Sequence, residues 1–209
     1  MDLSHALDSD GAGGGFEYFY GFIGGEDNQW EPALYEGTNP IEPPKTAEEG
    51  YHLTEDMTDK AIGWVRQQKA LMADKPFFMY YAPGATHAPH HVPKEWIEKY
   101  RGRFDGGWDQ LREETFERQK ALGVIPQDAV LTERPDEIPA YDDMPDELKP
   151  ILAREMETYA GFLEHTDAQV GKLIDALEDR LDRGLRVASR RRDRLDVGRR
   201  PRHRPRRGP

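Results

Sequence analysis

The sequence predicts an α/β fold, and two observations carry that expectation. Between residues 54 and 82 a well-signalled helix, a short loop and a continuous apolar run of strand length follow one another, which is the order of an α/β unit. Three more helical patterns come later, yet the stretches between them are rich in proline, not strand-like. The chain therefore supplies about one central strand of a sheet that needs several.

In chain order, residues 1–15 (MDLSHALDSDGAGGG) end in a glycine cluster without helical or strand period, and are expected to form a flexible lead-in. They lack the basic and apolar regions of a signal peptide, which leaves the compartment unknown, with the cytoplasm only as the default expectation. Residues 16–25 (FEYFYGFIGG) are aromatic and predict a short strand or tight turn closing on Gly24-Gly25. Residues 26–50 hold Pro32, Pro40, Pro43 and Pro44 and predict an ordered surface loop.

The helix from Thr54 to Ala73 has Thr54 as its expected cap. Glu55, Asp56 and Asp59 sit where the helix dipole favours negative charge. Met57, Ala61, Trp64, Val65, Leu71 and Met72 give it one apolar face. Residues 75–82 (KPFFMYYA) then predict a strand buried on both faces, as in a parallel sheet. Pro93 opens a further helix, and residues 108–122 predict another, with Leu111, Phe116 and Leu122 as its sparse apolar contacts. The longest helix is expected over 146–179, with Leu152, Met156, Tyr159, Leu163, Val170, Ile174 and Leu177 as its core stripe.

Composition narrows the chemistry. The chain has 209 residues, the length of one ordinary domain, and no cysteine. Disulfides, thiolate metal sites and a cysteine nucleophile encoded here are excluded. No run of apolar residues is long enough to span a membrane.

The net charge of −11 averages two unlike parts. Residues 180–209 carry 13 Arg against three Asp, a net of +10, which leaves 16 basic and 37 acidic side chains in residues 1–179, a net of −21. The body repels nucleic acid, and only the tail would attract it, non-specifically. A tail selected for charge has no reason to exclude Lys, since phosphate accepts either cation. All-arginine composition is instead what GC-rich codons give out of frame. Residues 180–209 are therefore expected to be disordered or out-of-frame, with a functional basic arm as the competing reading.

The loop after the apolar run, residues 82–93 (APGATHAPHHVP), holds His87, His90 and His91. Ligands in α/β sheets bind at the carboxyl ends of strands, where this loop begins. The histidine spacing permits a metal site. However, adjacent His90 and His91 point apart, and no carboxylate nearby in sequence completes a ligand set. The plainer reading is loop histidines hydrogen-bonded to backbone.

FFMYYAPGATHAPHHVPKEW resembles the strand-loop segment of the type I sulfatases, particularly bacterial arylsulfatases. GFEYFYGFIGGEDNQWEPALYEG, GYHLTEDMTDKAIGWV and REMETYAGFLEHTDAQVGKLIDAL resemble further segments of that family, in order, over residues 16–178. The resemblance implies part of an alkaline-phosphatase/sulfatase-like sandwich with a mixed central sheet, incomplete in this chain, with residues 16–179 as the domain fragment.

It also implies a hydrolase acting on sulfate esters. In that family the loop histidine hydrogen-bonds the ester, and the matching residue is His87. The family's cofactors, calcium and a formylglycine nucleophile, are implied for an intact enzyme. Yet the sequence has no Cys- or Ser-x-Pro-Ser/Ala-Arg motif, and no counterpart of the paired aspartate or Asp-Asn metal ligands. Asp27-Asn28 follows a Gly-Gly turn and is not taken as a metal site. The chain alone is thus expected to be inactive and, lacking most of its sheet, poorly soluble or partly molten. The alternatives are a degenerate domain that binds sulfated ligands without catalysis, or anionic-surface binding through the tail.

Overall fold

The computed structural model describes residues 15–72 and 74–181. The expectations for the lead-in and for the arginine-rich tail beyond residue 181 lie outside the described residues.

Three short strands come first: β1 (Tyr20–Gly21), β2 (Leu34–Glu36) and β3 (Asn39–Ile41). They pair antiparallel in the order β1-β2-β3, with Tyr20 opposite Glu36 and Leu34 opposite Ile41. Residues 26–50 are therefore not all loop. Gly37 at φ 59, followed by Thr38 without positive φ, joins β2 to β3 as a tight two-residue turn. Pro40 is tolerated because β3 is an edge strand.

The sheet covers a small core of Leu34, Tyr51 and Leu53, with Tyr20, Phe22, Ile41 and Met57 packed around it. Asp56 ties this core together by accepting hydrogen bonds from the hydroxyls of Tyr20 and Tyr51. Burial, and secondarily the Asp56 carboxylate, push both phenols above their ordinary range.

Helix α1 (Leu53–Leu71) lies where the sequence placed it, with Glu55 and Asp56 in its first turn. Its cap is His52, not Thr54: the His52 Nδ1 accepts from the Thr54 N–H at 3.2 Å. Thr54 is buried inside the helix, where its hydroxyl donates to Gln29 Oε1 at 3.2 Å. A polar residue here escaped the apolar-face reading because its partner, Gln29, is distant in sequence.

After α1 the chain does not form the expected strand. Residues 75–82 pair with no strand among the described residues. Burial alternates along them instead. Phe77, Met79 and Tyr81 are half-buried, whereas Phe78 and Tyr80 are 75% and 63% exposed. Phe77 meets Trp64 of α1 edge-on, with ring centroids 5.4 Å apart. The alternation is that of a strand with one face covered. The ladder is missing because no other described segment offers it an edge.

Helices α2 (Lys94–Glu98), α3 (Gly107–Ala121) and α4 (Lys149–Leu181) complete the order. The start of α3 is held by the loop before α4. Trp108 Nε1 donates to the Pro139 carbonyl at 3.1 Å, and Asp109 Oδ2 accepts from the Tyr141 N–H at 2.8 Å. Leu122, expected as an apolar contact of α3, is exposed.

Helix α4 packs on both α1 and α2, but its predicted stripe is covered only in part, with Leu152, Met156, Val170 and Leu177 half-buried. The buried residues are Ala153, Glu157, Phe162, His165, Thr166, Gln169 and Leu173, while Tyr159, Leu163 and Ile174 are exposed. Its polar-containing face is the more deeply buried, and part of its apolar face stays in water. Gly161 permits the close crossing with α2. A Cβ there would lie 2.9 Å from the Trp96 carbonyl and the Ile97 backbone nitrogen. Beside the crossing, Arg154 bridges Glu98 at 2.6 Å and Glu157 at 2.7 Å, and Glu157 also accepts from the Gly102 N–H at 2.7 Å.

Candidate functional site

The loop over residues 82–93 is fastened at several points before any chemistry is considered. At its start, the hydroxyls of Tyr81 and Thr58 are 2.7 Å apart, which attaches it to α1. The Thr86 hydroxyl donates to the Tyr159 hydroxyl at 2.9 Å, which attaches it to α4. At its end, His91 Nδ1 meets Asn28 Oδ1 at 3.1 Å. The His91 carbonyl accepts from His52 Nε2, also at 3.1 Å. Because His52 Nδ1 is already an acceptor, its proton must sit on Nε2, and the two bonds fix one tautomer. Val92 is buried.

Asp27 and Asn28, set aside as metal ligands on sequence grounds, organise the facing turn. Asp27 accepts from the Asn28 and Ala33 N–H groups, and Asn28 from those of Trp30 and Glu31. Such Asx turns are how these side chains shape a loop. With Asn28 tied to His91, the turn lies beside the histidine loop.

His87 sits where these two segments meet. Its N–H bonds to the Gly84 carbonyl at 3.0 Å and closes a turn. Its ring Nδ1 lies 2.9 Å from the Ala88 carbonyl and 2.9 Å from Glu26 Oε2. Both neighbours are acceptors, so Nδ1 carries a proton and Nε2 is the ring nitrogen left to meet a ligand. Among the described residues Nε2 has no hydrogen-bond partner. The side chains of His87 and Glu26 are each 60% exposed. As a surface ion pair this contact adds little stability, on the order of 0–1 kcal/mol.

The carboxylate that the sequence failed to find near His87 is thus Glu26, brought in from the turn after Gly24-Gly25. No local signal could have shown this, because the pairing depends on two loops meeting. The three histidines do not converge. His90 turns towards α4, its ring 5.4 Å from that of Tyr159, and lines a cavity of about 490 Å³ with Ile151, Arg154 and Thr158. His91 stacks near Trp30, and burial lowers its pKa.

Among the described residues no group of three or more His, Cys, Asp or Glu side chains could hold a metal ion. The described residues therefore do not fit the calcium that the family resemblance implies. With no cysteine and no Ser-x-Pro-Ser/Ala-Arg motif, the chain also has no precursor for formylglycine. Among the described residues no helix is long and apolar enough to cross a membrane.

A fastened loop that holds one imidazole by Nδ1 and leaves Nε2 available can, when the ring is doubly protonated, donate to an oxyanion. A sequence model described as Sulfatase matches residues 4–185, and the chain belongs to the sulfatase family. It is 26% identical over 172 residues to the arylsulfatase of Klebsiella aerogenes, covering 78% of this chain and 36% of that protein. It is 36% identical over 119 residues to an uncharacterized sulfatase of Schizosaccharomyces pombe, covering 54% of this chain and 21% of that one. An uncharacterized sulfatase of Escherichia coli, YdeN, is 35% identical over 94 residues, covering 44% and 15%.

The matches therefore span at most 36% of the length of these relatives. Family membership implies an α/β fold of the alkaline-phosphatase kind. The small antiparallel sheet and four helices described here are a part of such a fold.

Proposed function

We propose that this chain is an internal segment of a hydrolase acting on sulfuric esters, of arylsulfatase type, and that His87 is the residue in it that meets the ester. The observation that supports this is the His87 ring itself. Its Nδ1 is held by the Ala88 carbonyl with Glu26 Oε2 also 2.9 Å away, so in the doubly protonated ring Nε2–H is the donor available to an ester oxygen. A charged donor is worth most where negative charge develops as the S–O bond breaks.

The nucleophile belongs to sequence that this chain does not hold, so the 209-residue chain by itself is inactive. Groups that act as a unit lose nearly all catalysis when one is absent. The wider mixed sheet, with the calcium ligands, belongs to the same missing parts.

The test is nitrocatechol sulfate hydrolysis by a longer polypeptide, in which the chain is joined to the flanking sequence of its own locus in a restored frame. Activity is expected there, with kcat reduced roughly 10²-fold or more in His87→Ala, the usual loss for a positioned acid-base group. Unchanged kcat in that variant would remove His87 from the reaction.

A further inference from the structure

The contact between His87 and Glu26 joins segments far apart in sequence. We propose that Glu26 is a positioning residue for His87: its carboxylate holds the Nδ1–H and presents Nε2 to the ester. This deepens the reading of His87 as the ester-facing group and rests on it.

Three observations support the inference. First, Glu26 Oε2 lies 2.9 Å from Nδ1, in ion-pair contact beside the hydrogen bond that Nδ1 makes to the Ala88 carbonyl. Second, the Ala88 carbonyl stands at the same distance from the same nitrogen, so both neighbours demand a proton at Nδ1. Third, the turn that carries Glu26 is itself built. Asp27 and Asn28 fold it, and Asn28 ties it to His91 on the histidine loop. The carboxylate is therefore delivered by a framework and does not arrive on a free chain end. Orientation of a catalytic imidazole by an acceptor on its other nitrogen is a general device.

Glu26 is the charged group in contact with His87 among the described residues. On the neighbouring elements, His90 faces Tyr159 of α4, and His91 faces Asn28 and Trp30. Neither addresses the His87 ring. The backbone carbonyl of Ala88 survives every side-chain substitution, so the contribution of Glu26 can be separated from it.

The test uses the full 209-residue chain with histidine ring nitrogens labelled with ¹⁵N. The His87 signals are identified by their loss in His87→Gln, and the neutral ring is read above its titration. The expected result is a ring protonated at Nδ1, the minor form of a free histidine. In Glu26→Ala the Nδ1–H form should fall below half of the population. Glu26→Gln, which keeps an acceptor oxygen, should restore it.

A native ring protonated mainly at Nε2 would overturn the proposal. So would a Glu26→Ala ring that stays in the Nδ1–H form, since Ala88 alone would then suffice. The readout involves no sulfate ester. Its failure is therefore distinct from failure of the His87 assignment, which the kcat of His87→Ala decides.

Discussion

His52 shows how much one side chain does in this molecule. It caps α1 through Nδ1, supports the histidine loop through Nε2, and lies against His165, with ring centroids 4.5 Å apart. Burial, and next the neighbouring His165, hold its pKa down to about 4 from the ordinary histidine value of 6.5. A proton added at Nδ1 would face the Thr54 N–H it now accepts, so the charged form loses the cap.

The sign follows from the depressed value. The unfolded chain binds the His52 proton first as pH falls, so the stabilisation is full above about pH 6.5 and is lost towards pH 4. The loss is on the order of 3 kcal/mol. Urea midpoints between pH 7 and 4.5 should fall steeply for the native chain and less for His52→Asn, which keeps a capping side chain without the charge change. Equal slopes would count against the assignment. His165, fully buried with its Nε2 3.0 Å from Glu55 Oε1, faces the same cluster from α4 and is common to both proteins. None of this was legible in the sequence. A lone histidine before a helix does not announce that it will be buried, and Gln29, Thr54 and His165 are polar residues whose partners are distant.

Helix α4 carries two faces, and the sequence revealed one of them. A repeating Leu, Met and Ile pattern shows which side of a helix seeks apolar cover. It does not show whether that cover lies in the same chain. Here the face with Tyr159, Leu163 and Ile174 is exposed, and the face with Gly161, Phe162 and His165 makes the contacts with α1 and α2.

Gly161 is the tightest point of that contact, and two effects compete in Gly161→Ala. Alanine gains about 1 kcal/mol of helix propensity. Its Cβ would meet backbone of α2 at 2.9 Å, which cannot yield as a side-chain tip would, and overpacking costs roughly 1–3 kcal/mol. The clash should win by about 1 kcal/mol, read as a lower urea midpoint. A stabilised variant would mean that α2 does not seat on α4 as described. The same distinction explains the missing strand. The apolar run over 77–81 reads as a strand, but strands exist only by pairing, and pairing is non-local. Helices α1, α3 and α4 were legible because their hydrogen bonds are internal.

At the scale of the whole molecule, Phe78, Tyr80, Leu163 and Ile174 leave large apolar side chains in contact with water. Large apolar side chains left in water in this number are what other protein commonly covers. The family relationship supplies the reason, since the matches cover no more than 36% of the relatives' length.

The isolated chain should therefore bind anilinonaphthalene sulfonate and self-associate at modest concentration. Tyr80→Lys with Leu163→Lys should reduce both without lowering helix content, because neither side chain makes a buried contact here. A native chain that stays monomeric and dye-free would contradict the account of its surface.

The central claim is that this chain holds the ester-facing histidine of a sulfatase and not its nucleophile. The most direct test is the initial rate of nitrocatechol sulfate hydrolysis, compared between the 209-residue chain and the same chain rejoined to its flanking sequence. The account predicts turnover only in the rejoined protein, falling about 10²-fold in His87→Ala. Turnover by the short chain alone, or an unchanged rate after loss of His87, would contradict it.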